Sequence, residues 1–198
     1  MKQLHRPDLY SWSVFDESRN VDFHGVAWVR PEGNVLVDPL PMSEHDMAHL
    51  ERLGGAALIV LTNSDHVRGA RELASRFGAE LCGPSAERDT FPVPCARWLG
   101  DGDEAVPGLR AIEMHGSKTP GELALLLEDT TLVTGDLVRG HVGGRLNLLP
   151  DAKLADRELA VASVKRILNE HPQIDAVLVG DGWPVFHDGA RALALLVG

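Results

Sequence analysis

The sequence predicts an α/β fold, and three observations carry that prediction. The first forty residues are rich in aromatic and β-branched residues grouped as strands. The middle of the chain holds a continuous apolar run, Ala56 to Leu61, that passes through a polar hexapeptide into a helical pattern. The second half alternates apolar strand segments with helical periodicity. A strand buried on both faces reads as an unbroken apolar run, whereas a helix places apolar residues every three to four positions.

The elements follow in order. Tyr10 to Phe15 and Phe23 to Val29 are expected strands, broken at Asp16 to Asn20 and at Pro31 to Asn34. Val35 to Val37 is a third strand, ended by Asp38-Pro39. Ser43 caps a helix that carries Met47, Leu50 and Leu53 on one face, and Gly54-Gly55 stops it. Beyond the apolar run, Val67, Ala70, Leu73, Ala74 and Phe77 keep helical spacing up to Gly78, and Ala79 to Cys82 is the next strand. Residues 83–108 and 137–153 read as loops. Strands are expected at Leu109 to Met114, Glu122 to Leu127 and Thr131 to Thr134. A helix spans Leu154 to Glu170 with Leu159, Ala162, Ile167 and Leu168 facing inward. Ala176 to Val179 is a last buried strand and Gly189 to Val197 a last helix. No repeat, linker or low-complexity segment divides the chain, so residues 1–198 are expected to form a single domain.

Composition narrows the function classes. The 198 residues suffice to bury a core, and 44% apolar with 24% charged content is ordinary for a globular protein. A net charge of -10, with Lys and Arg scattered singly, argues against a nucleic-acid partner. No stretch has the length of a membrane span. Cys82 and Cys95 lie at no metal-ligand spacing, and the start, Met1 to His5, lacks an apolar signal region. A reduced cytoplasmic protein acting on a small molecule is the expectation, with a homodimer as the default assembly.

The chemistry-bearing residues sit in turns after predicted strands. They are Leu61-Thr62-Asn63-Ser64-Asp65-His66, Gly116-Ser117-Lys118-Thr119-Pro120-Gly121-Glu122, Thr134-Gly135-Asp136 and Val179-Gly180-Asp181-Gly182, with Val37-Asp38 as an early strand end. Open α/β sheets place ligands at such strand ends. In order and rough spacing, these turns resemble those of the metallo-β-lactamase superfamily. The hexapeptide resembles His-x-His-x-Asp-His, with Leu61 and Asn63 in place of two histidines. The second turn resembles Gly-His-Thr-Pro-Gly-Ser, with Lys118 at the histidine. Asp136 matches the metal-bridging aspartate, and Asp181 replaces the histidine of a closing Gly-His-Gly.

The resemblance implies a four-layer αβ/βα sandwich and a site built for two metals. The positions of Leu61, Asn63 and Lys118 would serve the first metal. Leu has no donor atom, Asn offers one neutral oxygen, and an ammonium has no lone pair. The first metal is therefore expected to be absent, with the Lys118 charge in its space. The positions of Asp65, His66, Asp136 and Asp181 would serve the second metal. This oxygen-rich set favours Mn, Fe(II), Mg or Ca more than a typical zinc site does, although Zn also accepts carboxylates. Three carboxylates close together need compensation, which one divalent metal or Lys118, Arg68 and Arg139 would supply.

Two functions follow from the resemblance. One is metal-dependent hydrolysis of a small ester, thioester or lactone with at most one divalent metal (Zn, Mn or Fe). In it Asp65 or Asp136 takes a proton, Lys118 stabilises an oxyanion, and Asn63, Glu122 and His141 contact substrate. The other is a metal-free, non-catalytic relative that binds a small anionic metabolite beside Lys118. His115 reads as a strand-end residue bonded to backbone, and His187 as a candidate to cover the pocket mouth. Trp183 and Phe186 read as packing residues.

Overall fold

The computed structural model describes all residues, Met1–Gly198. Seven strands form the first sheet, in the order β1 (Lys2–Gln3), β2 (Leu9–Asp16), β3 (Val21–Trp28), β4 (Val35–Val37), β5 (Leu58–Val60), β6 (Glu80–Pro84) and β7 (Arg97–Leu99). Pairing is antiparallel from β1 to β4 and parallel from β4 to β7. The second sheet runs β14 (Ala176–Val179), β11 (Thr131–Thr134), β10 (Leu123–Leu127), β9 (Leu109–Glu113) and β8 (Glu104–Val106), with β11 and β14 parallel. A separate hairpin joins β12 (Val138–Val142) to β13 (Arg145–Leu148).

Side-chain alternation explains the layering. In β10, Leu123, Leu125 and Leu127 enter a core shared with Val26, Trp28, Val37 and Val60 of the other sheet. Ala124 and Leu126 point the opposite way, into a core with Val164 and Ile167 of α3 (Arg157–Glu170) and Leu193 of α4 (Gly189–Val197). On the first sheet, Leu36, Ile59 and Leu61 join Leu50 of α1 (Glu44–Arg52) and Leu73 of α2 (Ala70–Phe77). Helices therefore cover the outside of two sheets packed face to face, the αβ/βα sandwich. Ser43 caps α1 by accepting from the Asp46 amide, and Asp156 caps α3 by accepting from the Leu159 amide. No helix is long and apolar enough to cross a membrane.

Several sequence expectations shift. The segment 83–108 contains β7 and β8, and 137–153 contains the β12–β13 hairpin. Strands of three residues carry too little periodicity to register, and β12 is interrupted by Arg139 and His141. Ser64–His66 forms a 3-10 turn and α2 starts only at Ala70. In α3 the buried face is Ala160, Ser163, Val164 and Ile167, while Leu159 is 50% exposed and Ala162 is exposed. Ile167 and Leu168 pack inward as expected, so counting apolar residues misassigns only Leu159 and Ala162. Ser163 belongs to the buried face because its hydroxyl donates to the His115 carbonyl and accepts from the His115 amide.

The topology gathers one end of both sheets. The C-terminal ends of β4 and β5 lie beside each other, as do those of β11 and β14. The sheets are joined there by main-chain bonds, His24 amide to Gly180 carbonyl at 2.8 Å and Gly182 amide to Asp22 carbonyl at 2.9 Å. Gly182 has φ +89, and a Cβ there would lie 2.2 Å from the Gly140 carbonyl oxygen, so only glycine allows this crossing.

Leu125 is fully buried between the sheets and Leu159 is half exposed. Leu125→Ala should cost about 2–5 kcal/mol and Leu159→Ala less than about 0.5 kcal/mol. Denaturant unfolding measures both, and equal costs would contradict the assigned face of α3.

Candidate functional site

Most site residues follow the end of a strand, while Arg139 and His141 come from β12 itself and Lys118 from the turn before β10. Asp38 follows β4 with φ 46, a left-handed conformation that aspartate tolerates better than most residues. Its carboxylate accepts from the Thr62 amide at 2.8 Å, from the Thr62 hydroxyl at 2.5 Å and from His66 Nδ1 at 2.7 Å. The buried His66 ring is thus oriented by Asp38, with Nε2 3.5 Å from Asp136 Oδ2, an ion-pairing distance without a hydrogen bond. Burial disfavours the imidazolium, but Asp38 and Asp136 outweigh it and raise the His66 pKa to about 9.

Asp136 lies at the centre. Lys118 Nζ sits 2.9 Å from its Oδ2 and 2.7 Å from Asp65 Oδ2. Arg139 Nη2 sits 3.3 Å from its Oδ1 and 2.7 Å from Asp181 Oδ2. Asn63 Nδ2 donates to Asp136 Oδ2 at 3.3 Å, and His141 Nε2 lies 3.0 Å from Asp181 Oδ2. Burial pushes the Asp136 carboxyl up, but His66 and Lys118 prevail and hold it well below the usual carboxylate range. Burial likewise opposes charge on Lys118, and Asp65 with Asp136 overcomes it, raising that pKa.

The structure thus brings Asp65, Asn63, His66, Lys118, Asp136, His141 and Asp181 into one network. Some positions differ from their expected roles. Asn63 is fully buried, and its Oδ1 accepts from the Asp65 amide, so it braces the site instead of facing a ligand. Glu122 is 1% exposed and accepts from the Leu137 amide at 2.6 Å and from the Ser117 hydroxyl. It ties the Lys118 turn to the Asp136 turn, and is closed off from substrate. Its burial, followed by the Asp136 charge, lifts its pKa to about 7. Gly135 is required between them, since a Cβ would lie 2.9 Å from Thr62 Oγ1 and 3.1 Å from Glu122 Oε1.

His115 is exposed, with its main chain bonded to Ser163. His187 is exposed and pairs with Asp175, away from the pocket mouth, and Trp183 is 62% exposed instead of packed. Leu61 lies in the helix-facing core. Asp38 and Thr62 complete the His66 support. The Val37-Asp38 strand end was visible in the sequence, but nothing in the sequence singled out Thr62.

The donor chemistry tests whether a metal fits. Asp65, His66, Asp136 and Asp181 do not converge as free donors, and no three His, Cys, Asp or Glu side chains are grouped to hold an ion. Lys118 and Arg139 lie between the carboxylates that would have to share one. His66 Nε2 and Asp181 Oδ1 have no hydrogen-bond partner, but the burial of both atoms and the cations beside the carboxylates keep them from meeting at one point. In this arrangement the residues do not fit a metal. They close the floor of a cavity of about 830 Å³ whose lining also includes Arg19, Arg68, Phe23 and Lys153.

A family model described as the metallo-β-lactamase superfamily matches residues 1–198. No curated protein sequence matches the chain. Solved structures match across nearly its full length. A metallo-β-lactamase from Pontibacter korlensis is 16% identical with a TM-score of 0.76, covering 97% of this chain and 94% of that one. One from Erythrobacter litoralis, with β-mercaptoethanol in its active site, is 14% identical at TM-score 0.77, covering 98% and 94%. FIM-1 from Pseudomonas aeruginosa in its mono-zinc form is 13% identical at TM-score 0.75, covering 96% and 89%. At such identities the likeness carries the fold alone.

The His66 proton has a direct test. Its imidazole should titrate by NMR near pH 9, and near or below the usual 6.5 in Asp38→Asn. Because the folded pKa is raised, this contribution to stability is full below about pH 6.5 and is lost as pH rises through about 9. The unfolding free energy should therefore fall across that window in the wild type, and less steeply in Asp38→Asn. A wild-type midpoint below 6.5 would contradict the assigned ion pair.

Proposed function

The chain belongs to the metallo-β-lactamase superfamily, and from that premise we propose that it binds a small anionic metabolite in a metal-independent pocket built on the hydrolase scaffold. The observation that carries this reading is the pairing of Asp136 with Lys118 on one oxygen and Arg139 on the other. Cations belonging to the chain neutralise the carboxylates. Five Lys and Arg residues line the cavity against three aspartates, in a protein whose net charge is -10. An excess of basic over acidic side chains around one concavity of an acidic protein favours anions in that place. Lys118 also stands where an incoming anion can meet it, its side chain 30% exposed beside the more exposed Asp65.

The second reading is metal-dependent hydrolysis of a small ester, thioester or lactone with a single Zn, Mn or Fe. The free buried atoms His66 Nε2 and Asp181 Oδ1 favour it. It requires Arg139 and Lys118 to give up their carboxylates, which leaves two cations unpaired in the site.

The two readings separate by elemental analysis and anion binding on protein purified without chelator. The proposal predicts well under one Zn, Mn or Fe per chain even after loading. It also predicts that at least one of acetate, sulfate and inorganic phosphate raises the thermal midpoint at constant ionic strength, with the shift reduced in Lys118→Ala. A stoichiometric metal lost in Asp136→Ala would overturn the proposal, and turnover of an ester, thioester or lactone by that metal-loaded protein would establish the second reading.

A further inference from the structure

The cations lining the cavity fall into two sets. Lys118 and Arg139 are each committed to two carboxylates on the floor. Arg68 and Lys153 have no acidic partner, and Arg19 only a loose one, Asp16 at 3.7 Å on the surface. The floor is therefore a surface of paired charges with carboxylate acceptors, while the uncompensated positive charge lies on the surrounding wall.

Arg68 is built into that wall. It has φ 30, a conformation that costs a non-glycine residue roughly 1–3 kcal/mol and persists only when its surroundings impose it. The following Gly69 is clamped, its amide bonded to the Pro39 carbonyl at 2.9 Å, and a Cβ there would lie 2.7 Å from the Leu40 main chain. The guanidinium is laid over the Phe23 ring at 4.9 Å, and its Nη1 is buried without a hydrogen-bond partner. An arginine held by strain and stacking, lining the cavity with no acidic partner, is a prepared anion contact.

We infer that the ligand is a hydroxylated phosphomonoester, with its phosphate held by Arg68 and Lys153 on the wall and its hydroxyls donating to the floor carboxylates. This rests on the anion-binding reading above. A phosphate dianion matches several unpaired cations better than a single carboxylate does, and the floor cations are already shared among aspartates. Hydroxyl donors suit that floor, where the Asp65 carboxylate lines the cavity, is 56% exposed and has one oxygen paired with Lys118. A cavity of about 830 Å³ has room for a body of monosaccharide size.

Calorimetric titration of the full chain with glucose 6-phosphate, glucose, inorganic phosphate and acetate at matched ionic strength tests this. Glucose 6-phosphate should bind more tightly than the other three. Arg68→Gly should weaken it about tenfold or more, while leaving the thermal midpoint equal or higher, because glycine adopts φ 30 without strain. Lys153→Ala should weaken it in the same direction. Inorganic phosphate binding as tightly as glucose 6-phosphate would overturn the inference, as would unchanged glucose 6-phosphate affinity in Arg68→Gly. Acetate binding alone, sensitive to Lys118→Ala, would overturn this inference and leave the anion-binding reading standing. Binding of no anion, simple or esterified, would overturn both.

Discussion

The two-sided neutralisation of Asp136 is the constraint on which the rest of the site depends. Unit charges about 4 Å apart interact by roughly 4 kcal/mol at the effective dielectric of a protein surface, and by more in a drier place. Asp38, Asp136 and Asp181 are all nearly buried, so they cannot share one sheet end without fixed positive partners. Lys118 and Arg139 are those partners, and His66 between Asp38 and Asp136 is a third. Removing one member of such a buried set leaves its partner desolvated and unpaired, which costs more than the pair contributes net. The turns after β4, β5, β11 and β14, and the turn before β10, thus meet at one electrostatic point.

The residues around that point act as a set. Leu61 joins the apolar layer under α1 and α2, Asn63 becomes a buried donor to Asp136, and Lys118 supplies charge from the neighbouring turn. Glu122 holds the Lys118 and Asp136 turns together through Ser117 and the Leu137 amide. A half-dismantled metal site would leave repelling carboxylates; here each of them has a cation.

Much of this was legible in the sequence because strand-end turns keep their spacing even when their chemistry changes. The apolar run before Asn63 and the Thr134-Gly135-Asp136 turn fixed where the acids sit, and Lys118 was visible as the odd residue in its turn. Roles were less legible than places. Glu122 and Asn63 read as ligand contacts because they stand beside the site in sequence, but burial directs both inward. Whether carboxylates hold a metal or a guanidinium depends on where Arg139 points. That direction comes from β12, whose short, charged stretch carried no strand signal. The inner face of α3 was read only in part: Ile167 and Leu168 were legible, but Ser163, bonded to the main chain, was not.

Tethered cations and a metal ion neutralise carboxylates equally well but leave different chemistry behind. A metal with an open position takes up water and lowers its pKa. An ammonium and a guanidinium offer only directed hydrogens and have no open coordination position. Lys118 and Arg139 spend those hydrogens mostly on Asp65, Asp136 and Asp181, which leaves the floor rich in acceptors. On the proposed reading, a ligand brings hydroxyl donors to the floor and turns its phosphate toward Arg68 and Lys153 on the wall. The scaffold thus keeps the geometry that converges groups on one point. On that same reading, the chain's own cations make that point a surface that meets a ligand's charge and hydroxyls separately, instead of a place for activating water.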